Sequence, residues 1–151
     1  MLYLNKFMDT VQITLYLFIK KYFTFRGRSN RSEYISLVIL FVVLDYTLSL
    51  CLRFFYKNDS SIIEFVITGA ILFFPMIALM IRRLHDFNKS GWWIFMIFML
   101  LESLYLSFQN HPIFLEYIEL FMWAMWGPIL VLALIKGTPG PNRFGNEPEY
   151  V

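Results

Sequence analysis

The sequence predicts an all-α polytopic membrane protein, with four transmembrane helices preceded by an N-terminal amphipathic helix lying in the interface. Three observations predict it. The 151 residues are 58% hydrophobic and 20% aromatic, and only 16% are charged, where soluble domains carry about 25% charged residues. Four apolar runs of near-spanning length follow one another. Lysine and arginine gather in alternate connections. A chain this short cannot bury so much apolar surface in one aqueous core, and the bilayer is the natural solvent for the excess. A single membrane domain over residues 1–151 is therefore expected.

The first element covers about residues 2–21. Leu4, Phe7, Met8, Val11, Leu15, Phe18 and Ile19 recur at helical spacing, and Asn5, Lys6, Asp9, Gln12 and Lys20 lie mostly opposite. That pattern fits a helix lying flat in the interface. A signal peptide is the rival reading. It needs an unbroken apolar centre and a small-residue cleavage site. Asp9, Gln12 and Thr14 interrupt the one, and the other does not follow.

The expected spans are residues 35–52, 62–81, 91–108 and 118–135. The first holds Asp45, the second Glu64 and Pro75, the third Glu102, and the fourth Glu119 and Gly127-Pro128. Each is close to the roughly 20 residues that cross hydrocarbon. Helices are required there because the lipid offers the backbone no partner. The connections around Asn58–Ser61, His85–Gly91 and Gln109–Pro112 are short and turn-like, so neighbouring helices should run antiparallel.

Charge sets the orientation. Lys6, Lys20, Lys21, Arg26, Arg28, Arg31, Arg82, Arg83, Lys89, Lys136 and Arg143 fall on one side; only Arg53 and Lys57 fall on the other. Positive residues stay cytoplasmic, so both termini and the middle connection should be inside. Residues 136–151 then form a cytoplasmic tail.

Three motifs share that inner face. The first runs Phe25-Arg26-Gly27-Arg28-Ser29-Asn30-Arg31-Ser32-Glu33-Tyr34. The second is Arg82-Arg83-Leu84-His85-Asp86, continuing to Lys89-Ser90-Gly91-Trp92-Trp93. The third is Gly137-Thr138-Pro139-Gly140-Pro141-Asn142-Arg143-Phe144-Gly145, ending near Pro148. Together they resemble the DUF805 family of small bacterial inner-membrane proteins. Its pattern is Gly-Arg-x-x-Arg-x-Glu followed by Phe or Tyr, then Arg-Arg-Leu-His-Asp-x-x-x-Ser-Gly-Trp-Trp, then a glycine-rich tail around Asn-Arg. The resemblance covers about residues 15 to 148. At one position it departs: the family has Trp after the Glu-aromatic pair, and Ile35-Ser36 stand here. The resemblance implies the bacterial inner membrane and the architecture, and no particular reaction.

The motifs admit bland and functional readings. Asn30 can cap the first span, with Glu33 completing a variant capping box. Arg26, Arg28 and Arg31 can instead donate to phosphate, from a lipid headgroup or a soluble anion. Arg82 and Asp86 stand four apart, a spacing for an ion pair on one helix face. Ser90 is placed to cap the third span, and Trp92 and Trp93 to anchor it at the inner interface. His85 beside Asp86 can form a proton-transfer couple, although a histidine in a tight loop is more often a hydrogen-bonding residue. Arg28, Arg83, His85, Asp86, Asn142 and Arg143 are expected to converge, with the tail folding back over the other motifs.

Asp45 and Glu102 are expected near the membrane midplane. Each lies eleven residues past its inner end, which is about 16 Å of helix. A charge there costs at least about 2.5–3.5 kcal/mol, so each needs a partner or a proton. One reading is a separate hydrogen-bonded acid in each helix; the other is a carboxyl pair sharing a proton.

Several chemistries are excluded. Cys51 is alone, so there is no internal disulfide or cysteine cluster. His85 and His111 are expected on opposite sides and cannot share a metal. No nucleotide fingerprint is present, and a nucleic-acid binder would be far more charged. No cofactor and no metal are expected. The favoured reading is a non-enzymatic membrane protein whose basic cluster binds an anionic lipid headgroup or a protein partner. A second copy or another membrane protein is the candidate partner. The alternatives are a small transporter or channel component using Asp45 and Glu102, and a lipid-modifying enzyme using His85 and Asp86.

Overall fold

A computed structural model describes residues 2–55, 61–108 and 126–148. Among them the chain is all-helical, with one isolated bridge between Asn142 and Gly145 in the tail. The helices are α1 (Leu2–Lys20), α2 (Arg31–Phe55), α3 (Ser61–Asp86), α4 (Trp92–Phe108) and α5 (Gly127–Leu134). Residues 35–52 fall within α2 and 62–81 within α3. The third expected run coincides with α4 to within a residue. Of the fourth, only the part from Trp126 onward is described; Glu119 lies outside the described residues, as do His111 and most of the expected connections at Asn58–Ser61 and Gln109–Pro112.

Local chemistry explains where the helices begin and end. At the start of α2, Asn30 Oδ1 accepts the N–H of Glu33 at 2.7 Å, satisfying one of the donors a helix N-terminus leaves open. α3 ends in a tight reversal. Asn88 adopts φ +58°, Asn88 N donates to His85 O and Lys89 N to Leu84 O, both at 3.0 Å. This is a Schellman closure, and asparagine is the residue after glycine that best tolerates its left-handed position. In α5, Pro128 stands in the first turn, where a missing N–H costs nothing. The expected Ser90 cap is weak: Ser90 Oγ reaches Trp92 N only at 3.5 Å.

Pro75 lies inside α3 and has no N–H to give to Ile71 O, four residues earlier. The hydroxyl of Tyr22 donates to that carbonyl. The connection after α1 thus supplies from outside the bond that the proline removes.

The core sits towards one end of the bundle. Tyr34, Leu37 and Phe41 of α2 meet Leu79, Met80 and Leu84 of α3, Ile94 of α4 and Leu132 of α5. α2 packs most extensively on α3; α1 and α5 lean on α2, and α4 and α5 on α3. Phe18 of α1 meets Phe41 edge-on at 5.6 Å, while Phe7, Met8, Leu15 and Ile19 are exposed. Away from the core, Ile39, Val42, Val43, Phe73, Met96 and Met99 are also exposed. Water does not tolerate an apolar surface that extensive. α2 and α3 are long and apolar enough to cross a membrane, and α4 is a shorter apolar helix.

Candidate functional site at the polar end of the bundle

Beyond Ile81 the apolar run of α3 gives way to Arg82-Arg83-Leu84-His85-Asp86. This last turn gathers the other two motifs around it. Asp86 is buried between two guanidinium groups. Arg28 approaches Oδ1 through Nε at 3.0 Å and through its terminal nitrogen at 2.8 Å; Arg83 donates to Oδ2 at 2.5 Å. The remaining donors of Arg28 reach the tail carbonyls of Thr138 at 2.6 Å and Gly140 at 2.5 Å. Arg83, fully buried, also donates to Ser29 O, Leu132 O and Ile135 O at 3.1, 3.0 and 2.5 Å. The last two belong to the end of α5, whose final carbonyls have no partners within the helix. A cation there is favoured by the helix dipole as well.

Arg82 behaves differently from the expectation. It does not pair with Asp86. Its guanidinium donates to Lys21 O at 3.1 Å and Thr24 O at 2.6 Å, and it faces Glu33 at 3.9 Å. Consecutive helix residues point about 100° apart, so Arg82 turns towards the connection after α1 while Arg83 turns towards α5. Lys21 completes the Glu33 environment, with Nζ at 2.9 and 3.0 Å from the two carboxylate oxygens.

The tail folds back and is held at several points. Thr138 N and Thr138 Oγ1 both donate to Asp86 O, at 2.9 and 2.8 Å. Asn142 Nδ2 donates to His85 O at 2.9 Å, and Arg143 to Asn88 O at 3.0 Å. The His85 ring stacks on Phe144 with centroids 3.9 Å apart, and its Nδ1 lies 3.0 Å from Gly27 O. Gly137 passes so close to α3 that an added Cβ would lie 1.9 Å from Asp86 Oδ2. His85 stands past the apolar run, and burial there holds its pKa below the ordinary value, the Gly27 carbonyl opposing and Arg143 reinforcing. The ring is thus held neutral near pH 7, bonded to Gly27 rather than to Asp86.

Arg28, Arg83, His85, Asp86, Asn142 and Arg143 are therefore brought together. Arg26 is exposed and stands apart. The donors of Arg28 and Arg83 are taken up inside the chain. What is left for a ligand is a cavity of about 440 Å³ beside them, between the start of α2 and the tail. Arg31, Lys136, Thr138 and Glu147 line it, along with Arg28, Arg83 and Asp86. Among the described residues Arg31 and Lys136 have no ion-pair partner, and Glu147 is engaged by Gly140 N at 2.7 Å. Lys136 was not among the expected site residues; its signal was its place just after the last span. Thr138, Gly137 and Phe144 were legible only as parts of a motif.

Asp45 opens onto a separate groove between helices, which Glu102 does not line. Both α2 and α4 pack on α3.

Fold and site define a small, all-helical protein, apolar along its flanks and closed at one end by buried arginines. The chain belongs to the DUF805 family, described as a protein of unknown function, whose profile matches residues 22–146. That range contains all three motifs. The chain is 29% identical over 133 residues to inner membrane protein YhaH of Escherichia coli (strain K12), covering 87% of this chain and 92% of that protein. It is also 29% identical over 137 residues to inner membrane protein YhaI of the same strain, with the same coverage. No solved structure matches.

Proposed function

We propose that this is an integral protein of the bacterial inner membrane, crossing it four times with both termini in the cytoplasm. Its cytoplasmic end binds an anionic group, a lipid headgroup or an acidic segment of a protein partner, without catalysing a reaction. The names of the two inner membrane relatives and the exposed apolar helices support the location. The observation that carries the binding role is the cavity beside the arginine knot. Arg31 and Lys136 line it without carboxylate partners among the described residues, while its own acids, Asp86 and Glu147, are already engaged. Two uncompensated cations beside a membrane attract anionic headgroups, each contributing about 1 kcal/mol.

The role of the knot follows from this division. Arg28, Arg83 and Asp86 hold the tail against α3 and shape the cavity; Arg31 and Lys136 supply the charge. The purified protein in nanodiscs should enrich phosphatidylglycerol over phosphatidylcholine. Changing both Arg31 and Lys136 to Ala should reduce that preference roughly thirtyfold, the effect of about 2 kcal/mol. A preference unchanged in the double variant removes the site. Loss of affinity for an acidic peptide, with lipid preference unchanged, would assign the cavity to a protein partner. Orientation is tested separately: a cytoplasm-dependent reporter should work after Val151 and fail when inserted at Asn58–Ser61.

A further inference from the structure

Asp45 takes no part in the knot or in the cavity beside it. It stands on α2 about 16 Å past Tyr34, at 1.5 Å per residue. Its carboxyl lines a groove of about 460 Å³ between α2, α3, α4 and α5. Thr68 and the indole N–H of Trp126 are the other polar groups of the lining; the rest is apolar, with Phe41, Phe73 and Phe98 among its walls. No hydrogen bond or ion pair reaches the Asp45 carboxyl among the described residues. Gly69 adds no side chain, and open space lies where its Cβ would be. The groove has the size of pockets that hold small organic ligands, about 300–1,000 Å³.

We infer that this groove binds a lipophilic cation: an organic ammonium or phosphonium whose charge is carried within an apolar body. The chemistry selects that class over the alternatives. A lipid acyl chain would fill the apolar walls but offer the carboxyl neither a charge nor a hydrogen bond, so the acid would have to take up a proton. A metal ion would find one carboxylate and almost no other oxygen donors, where hard cations need six or more. A strongly hydrated ammonium would have to shed its water among aromatic rings. A cation already shielded by apolar groups meets none of these costs. Its charge is neutralised by Asp45, and its body lies among aromatic side chains, whose ring faces attract cations.

The probe is tetraphenylphosphonium, tested by equilibrium dialysis against the full chain in nanodiscs, with empty nanodiscs subtracted. The wild type should bind it saturably, one per chain. Tetraphenylborate, with the same shape and opposite charge, should show no saturable binding. Asp45→Asn keeps size and hydrogen bonding but removes the charge, and should weaken binding by at least about tenfold. Gly69→Leu leaves the acid intact and fills the groove; it should weaken binding comparably. Glu102→Gln, outside the groove, should change it by less than about twofold. Wild-type uptake equal to that of empty nanodiscs overturns the inference. So does equal binding by Asp45→Asn, or saturable binding of tetraphenylborate. Gly69→Leu also guards the test against misfolding of the Asp45 variant, since it reports on the same space with the charge in place.

Discussion

Gly137→Ala should release the tail from the end of α3. The Cβ would lie 1.9 Å from Asp86 Oδ2, where ordinary contact begins near 3.4 Å, so one side must retreat by about 1.5 Å. Asp86 cannot easily do so, because Arg28 holds one of its oxygens and Arg83 the other. The tail must therefore move. The bonds from Thr138 N and Oγ1 to Asp86 O, 2.9 and 2.8 Å long, would stretch past the range in which they count as hydrogen bonds. At about 1 kcal/mol each, their loss lowers the free energy of tail opening by about 2 kcal/mol. That corresponds to roughly thirtyfold more open tail at equilibrium. Limited trypsin digestion at Arg143 reads the open population when opening is fast relative to cleavage. Cleavage should accelerate by that factor in Gly137→Ala and stay at the wild-type rate in Gly127→Ala, whose Cβ meets nothing. Equal cleavage of Gly137→Ala and the wild type would refute the close approach on which the argument rests.

Asp86→Ala should destabilise the protein by about 3–5 kcal/mol in thermal unfolding, because it leaves two buried guanidinium groups uncompensated; Asp86→Asn should lose most of the same stability. Tail protection should depend on pH through His85. Its pKa is lowered by burial from the ordinary 6.5, so protection is full above about pH 6.5 and falls as the pH drops below it; His85→Gln should flatten that profile in the trypsin assay. Tyr22→Phe should cost about 1–3 kcal/mol by leaving Ile71 O unbonded. In a Pro75→Ala background the same change should cost far less, since Ala restores the N–H to that carbonyl, and a double-mutant cycle measures the difference.

Much of the fold was legible because apolar run length acts along the chain, one segment at a time. The Asn30 cap followed from its distance to Glu33 and was found there. The meeting of the three motifs was expected from the one side to which their charges assign them, and the motifs do meet. The choice between Arg82 and Arg83 as the partner of Asp86 was not legible. Both spacings, three and four, place side chains on neighbouring positions of a helix; what separates them is which elements need donors on each side. Carbonyls of Lys21 and Thr24 claim one arginine, and those of Leu132 and Ile135 claim the other. The same limit hid the Tyr22–Ile71 bond. Pro75 announces an orphaned carbonyl, but nothing in the sequence says which hydroxyl, 49 positions away, will find it. For Asp45 and Glu102, equal counting depth said nothing about which face of each helix the carboxyls occupy.

The arginine knot also sets an order on how the protein is made. Arg83 is synthesised about fifty residues before Leu132 and Ile135, and Arg28 about 110 before Thr138 and Gly140. Until those carbonyls leave the ribosome, the two guanidinium groups have only Asp86 and, for Arg83, the carbonyl of Ser29. The residues from Leu132 to Gly140 are therefore the ones that close this end of the bundle. A chain that stopped before Leu132 would leave those donors of Arg28 and Arg83 without their carbonyls.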